Sequence, residues 1–522
     1  MKNSTYLSCN GVPWQATIPC LSLNFKDKLL AAIQAPEIIH ERAPKKLTEE
    51  AVYVICVMLT FVGLAVLGSS VTAYEFFFKD NEKKVESPKN GCKENTTKLI
   101  MRILKGKKPS ESHDFLEGGK SFLKCFCILR NGSKILSTAS PEGEIDCFHG
   151  LRFLCNVWII GFHTAYMYVG ILRHVEEIKS LFDWRGSQLL LNGGFAVDVF
   201  FVISGFLNAN ALFHKYSRSN GNISWFYFYF KRFVRLTPVY MIVLGFNATL
   251  ISYTGTGIIW PTYGTNPVCR KDWWWHLLYI NNFEESAQEC LPLCWYMAVD
   301  MQFYVISPLF MVSLIRFWEY FDVVYVKPYA RIIPYLVAIL LAYYLHKKNF
   351  DNGTTRNSAI TLCCGWIVTV IFMWICFFSL HKKEEILIVT AIYNGTKHLL
   401  FSCGFAWMIY LVLTRQSEFL NMCLSWKLFL PLSRLSYCAY LIHPLVLSRL
   451  SLQSQDFMDF SFISMIWLYL YVCVFTYSVS FIASLLFEAP VLNLLDWFSK
   501  KKGKKNSRVT SFSPTFNHFK IV

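Results

Sequence analysis

The stretch His149-Gly-Leu-Arg152-Phe-Leu-Cys-Asn-Val-Trp-Ile-Ile-Gly-Phe-His163 constrains the fold of this chain more than any other. It is apolar and long enough to begin a membrane span, yet it carries an arginine and, further along, a histidine. At about 100° and ~1.5 Å per helical residue, Arg152 and His163 share one helix face and lie roughly 16 Å apart. Ionisable groups inside a bilayer are costly, so they usually face a protein interior or a water-filled path. The stretch therefore predicts a membrane helix that carries a site.

The composition is that of an integral membrane protein. Of the 522 residues, 54% are hydrophobic and 16% are charged, which is unusual for a soluble domain. The formal charge of +16 comes from basic residues that collect in loops, so it does not indicate a nucleic-acid partner. We predict an all-α, polytopic helical membrane protein with about 10–11 transmembrane helices. The apolar runs lie near 52–76, 150–171, 192–213, 236–256, 295–315, 331–346, 358–380, 398–414, 434–452 and 462–487.

Composition shifts along the chain predict its organisation and its orientation in the membrane. Segments rich in Lys and Arg, among them 79–134, Lys231–Arg235 and the tail with Lys500–Lys505, are expected on the cytoplasmic side. Residues 1–50 and the loop 257–294 are then extracytoplasmic. We divide the chain into an extracytoplasmic segment 1–50, a first transmembrane helix 51–78, a cytoplasmic linker 79–147 with Lys105–Lys108, a transmembrane domain 148–490 and a basic cytoplasmic tail 491–522.

The number of predicted spans does not agree with the side of the membrane that the loop charges assign to the C-terminal tail. Ten spans that start outside must end outside, yet the tail is strongly basic. Either one span is missing or one segment is re-entrant. The region after Pro308 is the candidate, because Ile315–Val326 is too short and too charged to cross.

Cysteines in two regions could form disulfides. Cys269, Cys290 and Cys294 share one loop and could pair if that loop is extracytoplasmic. Cys9 and Cys20 allow the same interpretation near the N-terminus.

Charged and titratable residues in the predicted spans suggest a passage with two ends. From the expected boundaries, His163, Asp198 and Asp300 come to similar depth in the outer half of the membrane, whereas Arg152, Arg232 and Arg235 collect at the cytoplasmic end. A cationic inner mouth suits a phosphate-bearing donor, because guanidinium groups match phosphate oxygens in pairs. A mostly neutral histidine farther out could accept a proton, and an aspartate could orient it. Acyl transfer from a thioester to a hydroxyl needs such a base.

Each of these residues also has a structural explanation. His163 could make only an inter-helix hydrogen bond, Asp198 could pair with a buried arginine or a backbone donor, and Asp300 could be interfacial. Arg232 and Arg235 could serve only as positive-inside determinants. Ser204-Gly205 and Gly193-Gly194 indicate close helix packing rather than a nucleophile turn.

These residues lie in stretches that resemble the acyltransferase-3 family, in particular its animal branch of nose-resistant-to-fluoxetine-like proteins. The resemblance covers about residues 120–490. The matching stretches are His149–His163, Val197–Leu207, Arg232–Pro238, Trp295–Tyr304, Lys327–Tyr335 and Pro431–Pro444.

The resemblance implies transfer of an acyl group, with acyl-CoA as the cytoplasmic donor substrate, to a hydroxyl-bearing lipid or carbohydrate acceptor on the extracytoplasmic side. It marks Arg152 and His163 as an essential pair, Arg232 and Arg235 as a second arginine motif, and Asp300 as the counterpart of a bacterial glutamate. We thus expect His163, Asp300 and Asp198 to be catalytic, Arg152, Arg232 and Arg235 to hold the donor, and no metal to take part. The membrane is the plasma membrane or an endomembrane, and the oligomeric state is open.

Two departures from the family pattern accompany this resemblance. The family implies a larger N-terminal domain, of which residues 1–50 are expected to be the remnant. It also implies a further span between the Pro308 and Lys327 motifs, where this chain has fewer than 20 residues; this is the place where the span count disagrees with the loop charges. An alternative function is that of a transporter or a lipid- or xenobiotic-handling membrane protein that uses the same fold without catalysis.

Overall fold

The computed structural model describes residues 45–79, 111–140, 144–174, 177, 184–219, 223–256, 260–284, 289–316, 332–348, 357–379, 387–453 and 458–507. Throughout these ranges the regular structure is helical, apart from a single β-bridge between Leu172 and Met458. The prediction of an all-α fold is confirmed. The predictions for Cys9, Cys20, Lys105–Lys108, the segment 317–331 and the tail after residue 507 lie outside the described residues.

The α-helices are numbered in chain order. They are α1 Glu49–Tyr74, α2 Glu111–Leu123, α3 Ile128–Leu136, α4 Cys147–Gly170, α5 Ser187–Leu191, α6 Phe195–Arg218, α7 Trp225–Gly245, α8 Pro267–Leu277, α9 Trp295–Arg316, α10 Ile333–Lys347, α11 Ala359–Phe378, α12 Leu387–Leu413, α13 Glu418–Leu424, α14 Phe429–Arg434, α15 Ser436–Gln453, α16 Phe462–Ala483 and α17 Ala489–Ser507. Single π-helical turns follow α1, α7 and α16 at Glu75–Lys79, Phe246–Leu250 and Ser484–Glu488. Short 3₁₀ turns lie at Lys124–Phe126, Ile251–Tyr253, Asn281–Phe283 and Pro292–Cys294.

Several of these helices are long and apolar enough to cross a membrane. Among the described residues there are 6 such segments, Glu49–Phe77, Phe195–Arg218, Trp225–Tyr253, Ala359–Phe378, Ile392–Leu413 and Phe462–Ser499, and α10 is a shorter apolar helix. The predicted spans near 150–171, 295–315 and 434–452 also form helices, namely α4, α9 and α15. The chain is thus an integral membrane protein, and the total of 10–11 spans stays a prediction.

Two predicted starts are wrong, each by eleven residues. The run expected near 398 belongs to α12, which begins at Leu387. The fourth apolar run is predicted to begin near residue 236, with Lys231–Arg235 in a cytoplasmic loop, but α7 begins at Trp225 and contains that whole segment. The difference arises because a run of basic residues predicts a loop, whereas arginine and lysine are good helix formers. Within the helical domain, Asp300 of α9 compensates the charge of Arg232.

The helix α6 lies at the centre of the domain and packs against α4, α9, α10 and α12. Small residues permit these contacts. A Cβ atom added at Gly205 would lie 2.8 Å from the backbone oxygen of Tyr335 in α10, and one at Gly193 would collide with the side chain of Phe162 in α4. The prediction that these glycines serve close helix packing is confirmed.

The connection between α7 and α9 is held by a disulfide. Cys269 in α8 is bonded to Cys290, and Cys294 is a buried free thiol. The same connection binds the beginning of α1, where Arg270 pairs with Glu50 and the hydroxyls of Thr48 and Thr265 lie 2.9 Å apart. One of the pairings that the sequence left open is therefore formed.

Candidate functional site

A single unbroken helix, α4, carries both residues of the opening stretch. It runs from Cys147 to Gly170 and so places Arg152 and His163 about three turns apart on one face, as predicted. Its first turn is fixed by His149, whose ring nitrogens lie 3.2 Å from the hydroxyl of Ser433 and 3.2 Å from the carboxylate of Glu144.

Arg232 and Asp300 form an ion pair between α7 and α9. The side chains are 20% and 8% exposed, and the guanidinium also lies 3.3 Å from the hydroxyl of Ser204 in α6 and 4.3 Å from the centre of the Tyr304 ring. Buried ion pairs are stable only when the remaining polar atoms are also satisfied. Within the described part of the chain, Nε of Arg232 and Oδ1 of Asp300 are buried without a hydrogen-bond partner. Such atoms mark a place where a polar ligand can bind.

Arg152 and Arg235 lie beside this pair, and with Arg232 they form the arginine cluster. Arg235 interacts electrostatically with Arg232 and with the carboxylate of Glu488. Arg152 lies within electrostatic range of Arg235 and of Tyr296. The predicted grouping of the three arginines is therefore present. Their donor-binding role stays a prediction.

Glu488 is a buried carboxylate in the π-helical turn after α16. It accepts hydrogen bonds from the hydroxyl of Ser484 at 2.7 Å and the thiol of Cys438 at 3.2 Å. Single π-turns inside α-helices are frequent at functional sites.

The neighbour of His163 is a second histidine. Nδ1 of His163 lies 2.8 Å from Nε2 of His443 in α15, and His443 is fully buried. The ring of Tyr440 lies beside His443, and the ring of Tyr296 lies beside Tyr440, with centres 5.5 Å and 5.2 Å apart. Tyr296 in turn is within electrostatic range of Asp300, Arg232 and Arg152. The two ends of the predicted site are thus joined by a continuous line of aromatic rings.

The predicted aspartate partners of His163 are placed elsewhere. Asp198 in α6 is fully buried and lies 2.6 Å from Nδ1 of His398 in α12, and Asp300 pairs with Arg232. Helix packing thus gives each carboxylate a partner other than His163, whose Nδ1 faces His443. The catalytic roles of Asp198 and Asp300 stay a prediction.

The predicted depths also require correction. Asp300 was placed level with His163, and Arg232 at the opposite end, but their direct contact puts Asp300 and Arg232 at one depth. Because α7 begins eleven residues before the predicted start, Arg232 lies about 10 Å along the helix rather than before its N-terminal end.

Four residues of this region were missed by the sequence reasoning. His443 and His398 are single histidines in apolar helices, which is the same signal that identified His163. Glu488 lies just after the last predicted span, which was ended one residue too early. Tyr440 gives no signal in the sequence, because an aromatic residue in a membrane helix is ordinary.

The chain is similar to known proteins over most of this region. The model of the acyltransferase-3 family, described as an acyltransferase domain, matches residues 145–485. Nose resistant to fluoxetine protein 6 of Caenorhabditis elegans is 30% identical over 77% of this chain and 57% of its own length. A Staphylococcus aureus protein whose name places it provisionally among the O-acetyltransferases is 28% identical over 28% of this chain and 24% of its own length. The chain therefore spans a little over half of the first of these relatives, and no solved structure matches it.

Proposed function

Because this chain belongs to the acyltransferase-3 family, we propose that it transfers an acyl group from acyl-CoA to a hydroxyl-bearing lipid or carbohydrate. The observation that carries the proposal is α4, which places Arg152 in the arginine cluster and His163 in a histidine pair about three turns away. One helix thus joins an anion-binding end to a basic end, as a donor with phosphates and an acceptor with a hydroxyl require.

The arginine cluster is proposed to hold the phosphates of the donor. Arginine forks bind phosphate oxygens in pairs, and they do so most strongly where water is excluded. Arg232 retains a buried Nε without a hydrogen-bond partner in the described protein, and a phosphate oxygen could accept from it. Asp300 and Glu488 limit the repulsion among the three cations in the absence of the donor.

His163 is proposed to be the general base. As the acceptor oxygen attacks the thioester carbon, His163 takes the hydroxyl proton; the carbon–oxygen bond forms and the carbon–sulfur bond breaks. The imidazolium then gives its proton to the departing sulfur, so that the acyl ester and the free thiol of CoA leave and the histidine returns to its neutral form.

The disulfide supports an extracytoplasmic position for the acceptor end. Disulfides persist in oxidising compartments, and Cys269–Cys290 closes the connection between α7 and α9. Leu293 of that connection accepts a 2.7 Å hydrogen bond from Tyr440, whose ring lies beside His443. On this basis we propose that the histidine pair faces the extracytoplasmic side and that the donor enters from the other side.

A transporter is the second candidate function, favoured by the buried Asp198–His398 pair, since such pairs also line proton or substrate paths. Proteoliposomes loaded with membrane lipids and supplied with radiolabelled acetyl-CoA separate the two functions. We expect label in a lipid or carbohydrate product together with free CoA. Passage of label into the vesicles without CoA release would contradict the proposal and favour the transporter.

The variant that tests the base is His163→Ala. His276→Gln is the matched control, since His276 is a buried histidine that lies in α8 beside Tyr240. We expect His163→Ala to lose acyl transfer by about 10²-fold or more, and His276→Gln to retain it at neutral pH. Full transfer by His163→Ala would exclude His163 as the base.

A further inference from the structure

The rings of His163 and His443 meet edge to edge. Their planes are within 6° of each other, and their centres are 5.0 Å apart. The two facing nitrogens are only 2.8 Å apart, which is shorter than the ~3.5 Å at which stacked ring faces touch. The rings therefore lie nearly in one plane and share an N–H···N hydrogen bond, in which one histidine donates and the other accepts.

The backbone of α15 decides which histidine donates. Nδ1 of His443 lies 3.3 Å from the carbonyl oxygen of Ala439, and the backbone of Tyr440 also interacts with the same ring. A carbonyl oxygen can only accept, so Nδ1 of His443 must carry a hydrogen. In a neutral imidazole the other nitrogen, Nε2, is then an acceptor, and the hydrogen between the rings belongs to Nδ1 of His163.

Pro444 explains why the Tyr440 carbonyl is available. In an uninterrupted helix this carbonyl would accept from the backbone N–H four residues later, but residue 444 is a proline and has no N–H. The dipeptide His443-Pro444 thus supplies both the ring and a neighbouring carbonyl that lacks its usual helical donor.

From this geometry we propose that His443 is a positioning residue, which holds His163 with its hydrogen on Nδ1 and its lone pair on Nε2. The inference rests on the proposed function, in which Nε2 of His163 takes the hydroxyl proton. When that proton arrives, the imidazolium keeps donating from Nδ1 to Nε2 of His443, and the charge is stabilised by a neutral acceptor. A carboxylate at this place would add a second buried charge, which is expensive in the absence of further partners.

Substitution of His443 separates positioning from simple packing. In His443→Ala the tautomer of His163 is no longer fixed, and we expect kcat for acyl transfer from radiolabelled acetyl-CoA to fall about 10²–10⁴-fold with little change in KM. In His443→Gln the amide oxygen can take the place of Nε2 as an acceptor, and we expect it to restore at least about tenfold of that loss. Both variants are compared with His163→Ala.

The outcomes distinguish this inference from the function on which it rests. If His443→Ala has the native kcat while His163→Ala is inactive, His443 is not a positioning residue, but the proposed role of His163 as the base is retained. Equal losses in the Ala and Gln variants also overturn the positioning role, because hydrogen-bond acceptance then has no effect. Full activity of His163→Ala overturns the proposed function itself.

A spectroscopic measurement tests the tautomer without relying on activity. The protein is labelled with ¹⁵N-histidine in lipid bilayers, and the signals of His163 are assigned by their loss in His163→Gln. We expect a protonated Nδ1 and an unprotonated Nε2 at neutral pH. The reverse assignment would overturn the inference, even if the His443 variants fail to fold.

Discussion

At the scale of single residues, buried charges here are held by pairing across helices. Arg232 is the clearest case, because its guanidinium contacts Asp300, the hydroxyl of Ser204 and the face of Tyr304, which lie on two other helices. Pairing of this kind matters to folding as well as to ligand binding, since a charge left alone in the membrane interior is costly.

Asp300→Asn is expected to destabilise the protein. The substitution preserves the size of the side chain but leaves the positive charge of Arg232 without its carboxylate, which costs about 3–5 kcal/mol for a buried pair. The thermal unfolding midpoint of the purified protein in detergent should fall accordingly.

The control is the double variant Arg232→Gln, Asp300→Asn, which removes both charges. It should recover part of the lost stability, because no uncompensated charge remains. If Asp300→Asn alone unfolds at the native temperature, the pair does not contribute to stability as described.

A second effect at the residue scale is the pH dependence that His276 gives to stability. This histidine lies in α8, outside the membrane spans, and burial lowers its pKa to about 4, compared with about 6.5 in an unfolded chain. Between these values the unfolded chain binds more protons than the folded protein. The stabilisation by His276 is therefore complete above pH 6.5 and is lost as the pH falls towards 4, by roughly 3 kcal/mol.

Thermal unfolding at pH 7.5, 5.5 and 4.0 measures this effect, with His276→Gln as the reference. Glu289 in the same connection acts in the opposite direction, because burial raises its pKa to about 7. Its contribution to the free energy of unfolding is therefore lost as the pH rises from 4.5 to 7. The difference between native protein and variant isolates the histidine. Parallel pH profiles for the two would show that His276 does not titrate on unfolding.

At the scale of helices, close approach of α6 and α10 depends on Gly205. An added Cβ would meet the backbone of Tyr335, which cannot rotate away. We expect Gly205→Ala to separate the helices and to destabilise the protein by about 1–3 kcal/mol. Gly63→Ala in α1 is the matched control, because among the described residues only the adjoining backbone of its own helix lies within 4 Å of its added Cβ. There the same change should be neutral or stabilising, and equal loss in both variants would contradict this account of the packing.

The sequence was sufficient to place most helices but not their polar contacts. The apolar runs near 331–346 and 358–380 correspond closely to α10 and α11, because hydrophobic length is a local property. The start of α7 was missed because Arg232 and Arg235 look like loop residues until Asp300 and Glu488, far away in the chain, are brought beside them.

The same limit explains the candidate site. Arg152 and His163 could be assigned to one helix face, since their relation depends only on helical periodicity. The partners of these three residues, His163, Asp198 and Asp300, could not be predicted, because each partner depends on which helices become neighbours. His443 lies 280 residues from His163, and no local pattern relates the two positions.

At the scale of the whole molecule, the residues of the candidate site form one band through the helical domain. The band begins at the arginine cluster, continues through Tyr296 and Tyr440, and ends at His443 and His163. The disulfide-bonded connection touches this band at two places, through Leu293 at Tyr440 and through Tyr279, which lies within electrostatic range of Arg232. This arrangement separates the proposed donor-binding groups from the proposed base by the length of α4 between Arg152 and His163, roughly 16 Å.

The most direct test of this account compares donor binding with acyl transfer in purified His163→Ala. If the arginine cluster binds the donor and His163 only moves the proton, the variant should bind acetyl-CoA with a Kd within about twofold of the native value, yet transfer its acyl group at least about 10²-fold more slowly. Transfer at the native rate, or a loss of binding equal to the loss of transfer, would contradict the division of the site between the two ends of α4.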